Sequence, residues 1–532
     1  MSDPEALAPD YIDRGRWRFK EAVNRCHREC PTDPDGVFGA LFAWHWLRRE
    51  IHPRYRKEVL AVSRNPEHRW LAELLAEEQD EADFVVQLLK HHASTADPEG
   101  IVAQWRALGV FGEGYAEGVR RIQREQKRIA TEMGGAEDRQ RLALVDALPD
   151  NRNARPPRFG KAGFIPRMAC PKSCRHCMFV WRPVVPDGAD AQRLLRWLAG
   201  RTDALLFTGG DLTRHLPDFF QAVRSLETMR SLAILLNGEC AATLEGSRAI
   251  FEEARRANRM RGRPAEVVLQ VSCDEYHQEV VASRSGGLRE RIPVAFIANL
   301  VQTAVAFPDI RLALLHKQNR LNFSTDLFSR GVVARLAREL RRRGERLQVK
   351  KYGLSPRPKA DPLNRARLSP VIREAELILA SRPEVTITFF SSIIDAFGRA
   401  ALLDPSEFID ERHYLQEILA HGPPSGERFD IDPMVRADGV VTCFAANPLW
   451  LGNVFEEGEE VILARWRKDP LLTALSRFDP TLLTWYDELT GDAAALVNRS
   501  TGPHFLFSTL TERAAVRLHL TRRLLGVFAK IQ

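Results

Sequence analysis

GFIPRMACPKSCRHC, Gly163 to Cys177, places an apolar run that reads as a strand directly before three cysteines, in a chain of 532 residues with eight cysteines in all. A second apolar run, LLFTGGD from Leu205 to Asp211, again ends in a polar turn. Outward from these two, Leu232 to Asn237, Val267 to Ser272, Arg311 to His316 and Leu347 to Tyr352 are further candidate strands. The amphipathic segments Ala191 to Leu198, Pro217 to Met229 and Thr325 to Arg343 lie between them and have the length of crossover helices.

Six strand–helix repeats predict an α/β fold with a parallel sheet, open or partly closed into a (βα)6 TIM-like barrel. In such sheets reactive groups collect where strands end at their carboxyl side. Three polar clusters are therefore expected on one rim: Cys170, Cys174 and Cys177 after the first strand, Thr208, Gly209, Gly210 and Asp211 after the second, and Ser272 to His277 after the fourth. His316, Asn319 and Asn322 follow the fifth.

Before this segment the pattern is helical, with Leu71, Leu74, Leu75, Val85, Leu88 and Leu89 at spacings of three and four. A later helix carrying Tyr115, Val119, Ile122 and Ile129 ends at Gly134 and Gly135, giving an all-helical amino-terminal domain over 1–150. DNRNARPPRFGKAGFIPR, Asp150 to Arg167, has no helical period and reads as a linker into the α/β domain, 151–395. The strand-like run VTITFF, Val385 to Phe390, marks the passage to a small α+β extension, 396–532. That extension holds the turn-rich stretch Arg436 to Asn453 and a helical tail from Thr509 to Lys530.

Lysine and arginine exceed aspartate and glutamate by 77 to 70, a surplus too thin over this length to argue for nucleic acid. The densest basic run, Arg338 to Lys351, reads as a solvated helix end. No apolar stretch approaches the roughly 20 residues that cross a bilayer, and MSDPEALAPD has no signal-like pattern. The expected location is the cytoplasm, where sparse cysteines stay thiols or metal ligands.

Three thiolates on a short loop can hold three corners of a cubane cluster, whereas structural zinc takes four closed ligands. An iron with no protein ligand can bind a substrate or cofactor, which turns an electron carrier into a catalyst. CPKSCRHC, Cys170 to Cys177, followed by TGGD, Thr208 to Asp211, resembles the radical SAM superfamily over about Phe164 to Phe390.

The resemblance implies one 4Fe-4S cluster on Cys170, Cys174 and Cys177, whose open iron binds S-adenosyl-L-methionine and whose electron cleaves it to a 5'-deoxyadenosyl radical that takes hydrogen from a substrate. It further implies that Gly209 and Gly210 let the backbone approach the methionine part and that Asp211, where glutamate is commoner, offsets its ammonium group. His176 fills the place of an aromatic residue near adenine, and Ser272 and Asp274 suit the ribose hydroxyls. An electron donor such as flavodoxin or ferredoxin is implied, with a peptide or a small biosynthetic molecule as substrate.

Other readings stand beside this one. Asp274, Tyr276 and His277 are candidates for substrate contact or acid–base work, or for knitting the rim together by hydrogen bonds. CRHC with LLFTGGD also resembles the lysine aminomutase branch, which adds pyridoxal phosphate, although no lysine stands in a recognisable context for its Schiff base. A non-catalytic alternative is a binding module stabilised by zinc on the trio with His176, Cys240 or Cys273. Cys26, His27 and Cys30 form a second, helical group read as idle thiols. The stretch Asp432 to Glu457 resembles the start of a SPASM or twitch extension, in which Cys443 and Gly452 match while Glu457 stands where an auxiliary-cluster cysteine belongs. It is expected to be cluster-free and to cover the barrel mouth.

Overall fold

The computed structural model describes residues 115–531, apart from 151–156, 173, 181, 183–184, 186–190, 283–287, 320–321, 330, 361–365, 404–408, 410 and 425. The helical reading of 1–114, with Cys26, His27 and Cys30, lies outside the described residues.

Eleven strands form one mixed sheet: β1 Ala162–Ile165, β2 Ala204–Phe207, β3 Ser231–Leu236, β4 Glu266–Ser272, β5 Arg311–Lys317, β6 Leu347–Leu354, β7 Ile372–Leu379, β8 Arg382–Ser392, β9 Pro433–Arg436, β10 Val440–Cys443 and β11 Gly452–Asn453. Their order is β11-β10-β9-β1-β2-β3-β4-β5-β8-β7-β6, a linear and therefore open sheet. The pairs from β9 through β1, β2, β3, β4 and β5 to β8 are parallel, and the outer pairs at both ends are antiparallel.

The first five expected strands sit in the expected order. The sixth differs: β6 is the antiparallel edge, and β8, which contains VTITFF, takes the place beside β5. Side-chain chemistry accounts for the exchange. In β8, Val385, Ile387, Phe389 and Ser391 alternate inward and are buried, whereas Lys350 and Lys351 in β6 keep water on both faces, as suits an exposed edge. Ala380 and Ser381 turn β7 back into β8 as a hairpin, so these strands pair as antiparallel neighbours.

Crossover helices connect the parallel strands: α1 Ala191–Ala199, α2 Leu216–Ser225, α3 Leu244–Arg259, α4 Val294–Ala304 and α5 Gly331–Arg342. The segment expected to run to Met229 stops at Ser225, and Leu226 turns back into the core. Thr243 caps α3 by accepting a hydrogen bond from Gly246 N at 3.0 Å, an arrangement that contributes about 1 kcal/mol. Leu232, Ile234 and Leu236 of β3 are buried with Leu194 and Leu195 of α1 and Phe219 of α2 in one core. Each such side chain contributes roughly 1.5–3 kcal/mol relative to solvent exposure.

Residues on either flank of the α/β segment complete the same body. Helices Tyr115–Glu132 and Ala136–Asp146 precede it, and the carboxyl-terminal helices pack on the second of these. Buried ion pairs Arg141–Asp469 and Arg517–Asp138, each 2.5 Å, fasten that contact. The stretch likened to a SPASM start is part of the sheet itself: β9 pairs with β1 and extends it. Glu457 accepts from Asn453 N at 2.9 Å and meets Arg465 at 2.6 Å, so a side-chain ion pair occupies the place of the absent thiol.

Candidate active site at the carboxyl rim of the sheet

The three cysteines lie on the loop leaving β1, and each shift in their acidity reflects their shared setting. Burial pushes the Cys174 thiol up to about 11, with the charges of Arg291, Cys177 and Cys170 acting on it in turn. Burial also raises Cys170, which feels Arg182, Asp211 and Cys177. Arg182 spans the loop: its guanidinium donates to the carbonyls of Cys170 and Lys172 and lies 3.5 Å from the Cys177 sulfur.

Two distant segments hold the far end of this loop. Gln126, on the helix Tyr115–Glu132, donates to Met178 O and accepts from Val180 N, both at 2.6 Å. Arg399 N donates to Cys177 O at 3.0 Å, and Gly398 (φ +58°) passes so close that a β-carbon there would lie 2.3 Å from Met178 O. Nothing in local sequence marks Gln126 or Gly398, because each acts across a long gap in the chain.

Gly209 and Gly210 have a reason to be glycine within the protein itself. Gly209 has φ +135°, and a β-carbon on Gly210 would lie 2.2 Å from Ala169 O. Their backbone bonds to the cysteine loop, Gly210 N to Arg167 O at 2.8 Å and Asp211 N to Ala169 O at 3.0 Å, so the two loops are stitched together. Asp211 Oδ1 accepts from Thr213 N at 3.1 Å.

Ser272 is the buried last residue of β4. Asp274 turns its carboxylate on its own loop: Oδ1 accepts from the backbone N–H of Tyr276 and of His277 at 3.0 Å, and Oδ2 meets His277 Nδ1 at 2.9 Å. Burial opposes its charge, but His277 and His176 with these hydrogen bonds hold it well below the ordinary carboxylate range. Burial lowers His176 itself to about 3, against the opposing pull of Asp274. The His176 ring packs on Tyr276 and His277, each at 4.8 Å between centroids, and its buried Nδ1 has no hydrogen-bond partner among the described residues. Tyr276 is fully buried against Ile394, Ala400 and Leu403, which is a packing position. Glu275 is committed to Arg335 at 3.1 Å.

His316, near the end of β5, is buried between Ser391 and Asn322, both at 3.0 Å, and burial lowers it to about 4. The three polar clusters and this group therefore lie at the carboxyl ends of the parallel strands β1, β2, β4 and β5.

Beside the cysteine loop lies a cavity of about 450 Å³. Ile165, Met168, Met178 and Phe179, which bracket the three cysteines, form part of its wall, with Ile129 and Met133 from the preceding helix and Phe444 from beyond β10. Asp395, Thr442, His504 and Glu512 bring polar atoms to the same space, and no feature of the sequence singled them out.

Metal selection by spacing is informative. Among the described residues, the one group of three whose ligand atoms lie within 4.8 Å of one another is His176, Asp274 and His277.

No family model matches the chain, and no curated protein matches it in sequence. Among solved structures it is similar to Streptococcus suis SuiB bound to precursor peptide SuiA, at 13% identity over 63% of this chain and 69% of that one, TM-score 0.29. It is also similar to native anSMEcpe with bound AdoMet and Cp18Cys peptide, at 10% identity over 70% of this chain and 100% of that one, TM-score 0.34. Likenesses of this degree fix neither family nor function. No helix among the described residues is long and apolar enough to cross a membrane.

Proposed function

We propose that this chain is a radical SAM enzyme, which binds a 4Fe-4S cluster on Cys170, Cys174 and Cys177 and acts on a substrate seated in the adjoining cavity. The observation that carries this reading is the setting of the trio: three mutually interacting thiols on the loop leaving β1, stitched by backbone bonds to Gly210 and Asp211 at the end of β2. The donor set suits the group, since three free thiols on one loop match three corners of a cubane. When bound, the cluster supplies the electron that cleaves S-adenosylmethionine to the 5'-deoxyadenosyl radical, as the resemblance implies.

The chain's own residues contribute position and shelter. Arg182, Gln126 and Arg399 fix the cysteine loop from three sides. Asp211, His176 and Ser272 are assigned to the cofactor by the resemblance, and the apolar wall of Ile165, Met168, Met178 and Phe179 would keep water from a reactive radical. Asp274 and His277 order the loop after β4, and Tyr276 anchors it. The substrate is a peptide segment or a small molecule, and the reaction type is left open by a fold and cofactor that serve many chemistries. Anaerobic reconstitution with iron and sulfide, followed by reduction with S-adenosylmethionine, tests the reading through iron content and release of 5'-deoxyadenosine.

A further inference from the structure

The cavity beside the cysteine loop is apolar over most of its wall, yet it presents carboxylates from three separate parts of the chain: Asp395 from the loop after β8, Asp430 from the segment before β9, and Glu512 from the turn between the helices Pro503–Thr509 and Ala514–Ile531. Asp430 is matched by Lys161 at 2.5 Å. Asp395 and Glu512 have no hydrogen bond or ion pair through their side chains among the described residues.

Arg499 and Arg128 act on Glu512 from outside the wall, without a hydrogen bond or ion pair to it, and Arg128 is already paired with Glu125 and Glu132. Arg436, the one arginine or lysine of the lining, is held by Asp438, its Nε 3.1 Å from Oδ1. His504 is stacked on Phe429, and burial lowers its pKa against the opposing pull of Asp395 and Asp430. The cations that act on Asp395 from outside have partners of their own: Lys317 donates to Ser392 Oγ at 2.8 Å and Ile393 O at 3.1 Å, and Lys359 pairs with Glu411. Thr442, only 5% exposed, also lines the cavity with a hydroxyl that makes no hydrogen bond among the described residues. An apolar space that keeps two unmatched carboxylates and one unmatched buried hydroxyl is built for an occupant that supplies their partners.

We propose that the cavity binds a substrate group with an apolar body and a positively charged end, an ammonium or guanidinium, held between Asp395 and Glu512 with Thr442 as a further polar contact. The inference rests on the radical reading only in calling that occupant a substrate. Burial holds both free carboxyls above their ordinary range, Glu512 at about 7, as fits acids whose countercharge arrives with the ligand.

The test uses the anaerobically reconstituted full chain at pH 8 and three probes of one shape: 4-phenylbutylamine, 4-phenylbutanol and 4-phenylbutyrate. Isothermal titration is expected to rank the amine about tenfold or more above the alcohol, with the carboxylate weakest. In the Asp395→Asn, Glu512→Gln double variant the amine should fall to within about twofold of the alcohol. Equal affinities in the wild type, absence of amine binding, or an amine preference that survives the double substitution would each overturn the proposal. Iron content and 5'-deoxyadenosine are measured on the same sample, which separates the two readings. Iron-loaded, cofactor-cleaving protein with no amine preference sinks this inference alone, while iron-free protein that still prefers the amine sinks the radical reading alone.

Discussion

Glu279 accepts a hydrogen bond from Arg175 Nε at 2.6 Å, with both side chains buried, and so ties the cysteine loop to the residues after β4. Arg291 stands 3.7 Å from the other oxygen of the same carboxylate. Removing the negative member of such a group leaves buried guanidinium charge uncompensated, at a cost of about 3–5 kcal/mol. Glu279→Gln should therefore lower the melting temperature clearly and reduce iron retention. Asp203→Asn, which breaks the exposed pair with Arg158, should cost about 1 kcal/mol or less. Indistinguishable melting curves for the two variants would contradict the role given to Glu279.

Gly210→Ala tests the stitching of the two loops. The added carbon would press on the carbonyls of Ala169 and Met168, at 2.2 and 2.5 Å, so the cysteine loop must move. Iron bound after reconstitution should drop severalfold. Gly200→Ala, whose new carbon would meet its nearest atom at 3.4 Å, should leave iron binding unchanged. Full iron loading of Gly210→Ala would show that the close approach is not needed.

Gln126→Leu removes both hydrogen bonds between the Tyr115–Glu132 helix and the cysteine loop. The part-buried N–H of Val180 then loses its partner, at roughly 1–3 kcal/mol, while the exposed carbonyl of Met178 can turn to water at little cost. Faster loss of iron to a chelator, with secondary structure intact by circular dichroism, is the expected result; an unchanged rate would assign the loop's order to Arg182 and Gly398 instead.

Glu512 gives a pH dependence whose sign follows from its setting. Burial and the charge of Glu125 raise it from 4.5 to about 7, against the pull of Arg499 and Arg128. The folded state thus holds the proton more tightly than the unfolded chain. This contribution to stability is complete below about pH 4.5 and is lost as the pH rises through 7. Glu512→Gln, which mimics the protonated acid, should melt higher than wild type at pH 8 and nearly equal to it at pH 5. Differential scanning fluorimetry at the two pH values decides, and an advantage of the same size at both would contradict the assignment.

Much of the rim was legible because it is local. The spacing of Cys170, Cys174 and Cys177, the Gly209–Gly210 pair and the strand periodicity are each contained within a few residues, and the first five strands fall where that periodicity places them. The order of β6 and β8 was not legible, because edge or centre is decided by competition between Val385, Ile387 and Phe389 and the lysines of β6 for one buried slot. For Asp274 and Tyr276 the sequence left two readings open, reactive groups or residues that knit the rim together; in the structure Asp274 clasps its own loop and Tyr276 packs against Ile394, Ala400 and Leu403. The cavity could not be foreseen at all: Gln126, Met168, Asp395, Thr442 and Glu512 share it while coming from the whole length of the described chain.

The central claim is that Cys170, Cys174 and Cys177 hold a cluster with one iron left open. Its most direct test is metal and sulfide analysis of the anaerobically reconstituted protein, coupled to chromatographic detection of 5'-deoxyadenosine after reduction with S-adenosylmethionine. About four irons and four sulfides per chain with the nucleoside released, and loss of both in Cys174→Ala, is the predicted result. Colourless protein carrying a single zinc and releasing no nucleoside would contradict it.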